Sequence, residues 1–173
     1  LTLLADRDYN SPEWQRTSPH SFHRFRKEGI MLEKSEMGRF SVDLVIANNR
    51  DVVLLGDSEN VLDEVKHLVV SGVVDSGAAK LVLPQRVVDE LQLKVHSETM
   101  VRFADNRREK RQIVDNVWLQ LLGRDGVFSA VVEPTRDDAL IGAIVLEELD
   151  LLVDCKSQLL YPRDPNLILT EIE

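Results

Sequence analysis

From Gly38 onward, apolar and polar residues alternate. Phe40, Val42, Leu44 and Ile46 fall on one side of what is mostly a period of two, with Ser41, Asp43 and Val45 between them. That period sends alternate side chains to opposite faces, so the stretch predicts a strand with one buried face. Ala47-Asn48-Asn49-Arg50-Asp51 predicts a turn, because Asn tolerates positive φ. Val52-Val53-Leu54-Leu55 predicts the returning strand, and 56–64 a polar loop. Lys66 to Val70 and Gly72 to Val74 predict apolar strands that end at Asp75.

Further along, Pro84 suits the first residue of a helix, with Val87, Val88 and Leu91 on its apolar face. Val95 to Phe103 and Arg111 to Val114 predict strands around a turn at Ala104-Asp105-Asn106. Val117 to Leu122 and Val127 to Val132 predict another hairpin, turned at 123–126. Trp118 and Phe128 face each other across it as core residues. Leu140-Ile141-Gly142 precedes a second short helix, Ile144 to Leu149, and Leu151 to Asp154 and Gln158 to Tyr161 predict closing strands. Val87 to Leu93 and Val145 to Leu151 match in chemical character at every position, at an offset of 58 residues (145 − 87 = 58). Each copy follows an apolar strand and a glycine, which predicts a fold built from duplicated halves. The expected class is all-β, with two short helices.

The tetrapeptide Asp75-Ser76-Gly77-Ala78 carries the candidate chemistry. It lies at the tip of the apolar run 68–74. A carboxylate there is costly unless hydrogen bonds or chemistry compensate. An Asx turn or helix cap is the plain alternative.

The chain has 173 residues, 43% of them hydrophobic, which suffices for one domain with a real core. Its net charge of -9 argues against nucleic acid or anionic membrane as partner. No apolar run is long enough for a transmembrane helix, and no signal pattern is visible. The single cysteine, Cys155, permits no intrachain disulfide, reads as a packed small residue, and fits a cytoplasmic location. Residues 1–36 have six acids, six bases and no sustained period, and read as an extension. Because residue 1 is Leu, and Met31 and Met37 are available starts, a second reading takes that stretch as non-native. The expected organisation is an extension over 1–36, a domain over 37–165 and a tail over 166–173.

Other motifs are rejected on their chemistry. Gly72 to Lys80 lacks the contiguous Gly-Lys-Ser/Thr of a phosphate loop. His20 and His23 have no third ligand nearby, so no metal is expected. His67 and His96 have no Gly-x-Ser-x-Gly nucleophile to serve. No cofactor is implied.

Val73-Val74-Asp75-Ser76-Gly77-Ala78, the Leu83-Pro84 helix start, Leu140-Ile141-Gly142 and the order of hairpins between them resemble the retropepsin-like aspartic proteases, specifically their small bacterial members. The resemblance covers roughly residues 37–165. It implies a closed barrel of duplicated halves, a homodimer, and one catalytic Asp per subunit at the two-fold axis. Asp75 is then the catalytic carboxylate. Ser76, Gly77 and Ala78 support it, and Leu140, Ile141 and Gly142 form the second-half loop. Met100 to Ile113 becomes the flap, with Phe103, Ala104, Asp105 and Asn106 over a peptide or protein substrate. Family members often carry Thr at the position of Ser76, and Arg, Asp or Asn after the second glycine, where this chain has Ala143. The retroviral flap is glycine-rich, whereas here no glycine occurs between Gly77 and Gly123, so the turn must use Asp105-Asn106.

Hydrolysis without metal or covalent intermediate needs a base for water and an acid for the amide, which two carboxylates sharing one proton supply. One motif per chain therefore implies two chains. The flap has five basic and two acidic side chains, so its charge reads either as a solvated tip or as a preference for acidic substrates. The alternative function is a catalytically weak barrel that dimerises and binds peptides or a partner protein.

Overall fold

The computed structural model describes residues 40–55 and 61–168. The expectations for 1–36, and for the tail beyond residue 168, lie outside them. Strand β1 (Phe40–Asn48) is followed by helices α1 (Asn49–Leu55) and α2 (Val61–Glu64), then β2 (His67–Val74), β3 (Leu81–Pro84) and α3 (Gln85–Glu90). Then come β4 (Val95–Arg102), β5 (Arg108–Leu121), β6 (Arg124–Glu133), β7 (Ala139–Ile141), α4 (Ala143–Glu148), β8 (Leu151–Asp154) and β9 (Leu159–Pro162).

The chain is mostly β, with a closed mixed barrel. Hydrogen bonding runs β1-β2-β7-β3-β6-β5, and β5 returns to β1 to close six strands. β4 hangs on the outer end of β5, and β8 with β9 forms a separate ribbon. Closure removes sheet edges that would otherwise expose unpaired backbone groups. Leu44, Ile46, Val70, Val74, Leu81, Leu83, Leu119 and Ile141 fill the interior. Each such side chain contributes about 1.5–3 kcal/mol on burial, so the barrel core dominates stability.

The register has an internal two-fold. β2 pairs with β7 in parallel with Gly72 opposite Ala139, and β6 pairs with β3 in parallel with Ala130 opposite Leu81. Both counterparts differ by the predicted offset (139 − 81 = 130 − 72 = 58). The helices repeat it too. Leu91 and Leu149 end α3 and α4 with φ/ψ of -88/1 and -87/4. Gln92 and Asp150 follow with φ of 51 and 49. The same offset carries Asp75 onto Glu133.

Several expectations are corrected. Val52 to Leu55 lie in α1 rather than in a returning strand, because β2 and β5 already occupy both edges of β1. Asn48 is the last residue of β1 and a cap, not a hairpin turn: its Oδ1 accepts from the Arg50 amide at 3.1 Å, and its Nδ2 donates to the Leu91 carbonyl at 3.2 Å. The polar loop at 56–64 contains α2 at its end, so two helices join the two foreseen. Pro84 closes β3 and caps α3 rather than opening the helix.

The strands predicted at 111–114 and 117–122 are one strand, β5, bent where its register shifts between Val114 and Val117. Asn116 absorbs the bend with φ of 60. That shift places Phe128 opposite Val117 and Trp118 opposite Val127, so the two aromatics are not cross-strand partners. Phe128 enters the main core, and Trp118 packs with Ala47 and Val65. The β5–β6 turn is tight at 122–123, with Arg124 already paired to Leu121. The predicted closing strands pair only with each other, and Cys155 is exposed in their turn rather than packed. No helix among the described residues is long and apolar enough to cross a membrane.

Candidate active site

β2 delivers Asp75. Its last residues, Val73 and Val74, pair in parallel with Leu140 and Ile141 of β7, and the Asp75 amide continues the ladder to the Ile141 carbonyl at 3.0 Å. The chain then turns. The Ala78 amide donates to the Asp75 carbonyl at 3.1 Å, and the Gly77 amide donates to Asp75 Oδ1 at 3.0 Å. A backbone donor aimed at a carboxylate oxygen fixes the orientation of the group. A Cβ on Gly77 would lie 3.1 Å from that same oxygen, so glycine permits the close approach. Asp75 and Ala78 are half-buried, and Ser76 and Gly77 are exposed.

The second-half loop meets this turn directly. Leu140 is half-buried and Ile141 buried in β7. Ala143 and Ile144 donate to the carbonyls of Ala78 and Ala79 at 2.8 and 3.2 Å. Residues 75–79 therefore rest on Gly142 and the start of α4. A Cβ on Gly142 would collide first with the Lys80 carbonyl oxygen, then with the Ala78 carbonyl oxygen at 2.7 Å. Both are backbone atoms and cannot step aside alone. Gly142→Ala is expected to cost about 1–3 kcal/mol, and urea unfolding measures it. The same variant should loosen the amides of 76–79 to hydrogen exchange. An open groove lined by Lys80, Phe128, Ser129, Ile144 and Glu148 borders the turn.

The segment expected to be the flap is a hairpin of β4 and β5, paired from Val95 with Val114 to Arg102 with Arg108. It turns on Asp105-Asn106: Asn106 takes φ of 66, and its amide donates to the Phe103 carbonyl at 2.9 Å. Asn thus supplies the left-handed residue that glycine supplies elsewhere. Phe103 is half-buried, and Ala104, Asp105 and Asn106 are exposed. The hairpin joins the barrel through β5, which ladders to β6 and β1, not to the strands ending at Asp75 and Gly142. Phe103 to Asn106 are therefore brought to one another and not, by any ladder, to Asp75.

Both acids of the hairpin tip are engaged by its own arginines. Arg107 Nε donates to Asp105 Oδ2 at 2.6 Å, and Arg107 Nη1 to Glu109 Oε1 at 2.9 Å. Arg111 Nη2 donates to Glu109 Oε2 at 2.6 Å, and Lys110 reaches Glu98 at 3.2 Å. Both guanidinium groups lie over the Phe103 ring, at 5.1 and 5.5 Å. The Arg107 side-chain hydrogen bond, with help from the Arg107 amide, holds the Asp105 carboxyl below its ordinary range.

Two polar residues outside the expected set stand out. Glu133 at the end of β6 is buried and bound by Arg111. Burial works to raise its carboxyl, but the hydrogen bonds of Arg111 and Thr135 outweigh that and hold it low. Its place 58 residues after Asp75, at the end of another apolar strand, was the available signal. Arg124 is buried among backbone carbonyls near the end of α4, and no sequence pattern marked it. Among the described residues no three His, Cys, Asp or Glu side chains group as metal ligands. No family model and no curated protein matches this chain.

Proposed function

We propose that two copies of this chain form an aspartic endopeptidase of the retropepsin-like kind, with Asp75 from each meeting at a shared site. The observation that carries this reading is the Asp75–Ala79 turn, held at the end of β2 against Gly142 of the other half. Backbone hydrogen bonds fix the turn from both sides, so the position of its carboxylate is set by the fold. The internal two-fold of the barrel and a hairpin of flap proportions support the same reading.

In that site one carboxylate is ionised and the other protonated, since two negative charges in contact are strongly disfavoured. The ionised group takes a proton from water as its oxygen bonds to the scissile carbonyl carbon. The protonated group hydrogen-bonds the carbonyl oxygen, which gains a proton and becomes the second hydroxyl of a tetrahedral diol. The carboxyl that took the water proton gives it to the amide nitrogen as the C–N bond breaks, while a diol hydroxyl returns its proton to the other carboxylate, leaving an acid and an amine and restoring the pair. A peptide in extended form would pair its backbone beneath the flap.

A second reading keeps the dimer but drops turnover: a peptide- or protein-binding barrel. The glycine-free, ion-paired flap favours it. The test is cleavage of an unfolded protein and a peptide library by the purified chain. The protease reading expects fragments, block by a pepsin-type transition-state inhibitor, and specific activity that rises with protein concentration as dimers form. A sedimenting monomer that cleaves at full specific activity would reject the shared site. Peptide binding without fragments selects the second reading.

A further inference from the structure

The fork where the flap leaves the barrel is stapled by one ion pair. β5 and β6 remain laddered as far as Ile113 opposite Val131. Two residues further the strands have parted, and from there to Arg108 β5 pairs with β4. At that point Arg111 Nε donates to Glu133 Oε2 at 2.8 Å, and Arg111 Nη2 donates to Glu133 Oε1 at 3.2 Å. The Arg111 side chain is 16% exposed and that of Glu133 7%, unlike the exposed pairs nearer the tip. A forked, largely buried contact fixes direction as well as distance.

Both partners reach further. Arg111 continues through Glu109 to Arg107 and packs on Phe103. Glu133 Oε1 also accepts from Thr135 Oγ1 at 2.9 Å, and the segment from Thr135 runs into β7 and Gly142. One carboxylate thus ties the flap to the segment that supports the Asp75 turn.

We propose that Glu133 is a positioning residue for the flap: through Arg111 it pins the hairpin at its root and sets how far it opens over bound peptide. This rests on the protease reading for its purpose, but the pinning itself is measurable without activity. The charged group facing Glu133 from β5 is Arg111, with Glu109 behind it. Thr135 faces it from its own segment, and Pro84 is its register neighbour on β3. A carboxyl held low contributes fully above the ordinary glutamate range and loses that contribution as pH falls through its lowered value.

The experiment is amide hydrogen exchange over 100–112 in the full chain, with the amides of Leu44 and Ile46 as the core reference. Glu133→Gln should speed exchange of the flap by about ten-fold at neutral pH while the core reference holds. The wild type, corrected for intrinsic rates, should show a similar rise between about pH 6 and pH 3. The variant should show little further rise over that range. Unchanged flap exchange in the variant, or an equal rise in the core, overturns the proposal. Should the variant not fold, the acid series on the wild type decides alone: a flap that loosens no earlier than the core rejects the pinning. Where peptide is cleaved, Glu133→Gln should raise KM several-fold with little change in kcat. If no peptide is cleaved but exchange behaves as described, the staple stands and the protease reading falls.

Discussion

Asp75→Asn is expected to abolish peptide cleavage and leave the fold intact. The amide matches the carboxylate in shape, and its oxygen can still accept from the Gly77 amide that holds Oδ1 at 3.0 Å. It cannot take a proton from water. Loss of a positioned base costs at least about 10³-fold in rate. Initial rates measure this, and an unchanged unfolding midpoint shows that the barrel survives. Cleavage that persists within ten-fold of wild type would remove Asp75 from its role. Mixing sharpens the test. If each site takes one carboxylate from each chain, equal amounts of variant and wild type should lower the rate per wild-type chain to about half once subunits exchange. Independent chains would show no such loss.

Arg124→Met is expected to be the costliest single change to stability, about 3–5 kcal/mol. Arg124 donates to the carbonyls of Leu149, Asp150 and Leu167 at 2.6, 2.9 and 2.6 Å, and to that of Asp164. Its guanidinium also lies 3.6 Å from Asp150 Oδ2. Those carbonyls include the negative end of α4, where a cation is favoured. Methionine fills the volume but leaves the carbonyls that Arg124 served without that donor and removes one cation from beside the buried Asp150 carboxylate. Asp150 retains Arg163 at 2.8 Å, which keeps the cost toward the lower figure. Arg163→Met is the control: that side chain is 54% exposed, and its loss should cost about 1 kcal/mol or less. Urea unfolding of the two variants compares them directly, and equal losses would refute the assignment of Arg124 as the buried clamp.

The candidate site was more legible than the strands around it. Asp75-Ser76-Gly77-Ala78 and Leu140-Ile141-Gly142 were singled out 65 residues apart (140 − 75 = 65), and the ladder from Val74 to Ile141 brings them together. Each carries a local signature: an acid at the end of an apolar run, or a glycine before a short amphipathic helix. α3 and α4 were legible for the same reason, since Val87, Val88, Val145 and Leu146 mark buried faces within a single turn. Val52 to Leu55 misled because a short apolar run fits helix and strand alike. What decided between them was not in the run: both edges of β1 were already occupied. Glu133 and Arg111 are 22 residues apart and read separately as an ordinary acid and one of several flap cations. Nothing local pairs them.

The order of residues alone determined that an apolar strand ends at Asp75, where two short helices lie, and which side chains were candidates for chemistry. It also determined that the halves repeat at one offset, because these properties depend on neighbours within a turn or a few residues. Tertiary structure alone decided which strands join. It threaded β7 between β2 and β3, closed β1 on β5, bent β5 at Asn116 and seated the Asp75 turn on Gly142. Those choices are settled by competition for ladder edges and core volume among segments distant in the chain, where closure costs only logarithmically more with separation and local pattern has no vote.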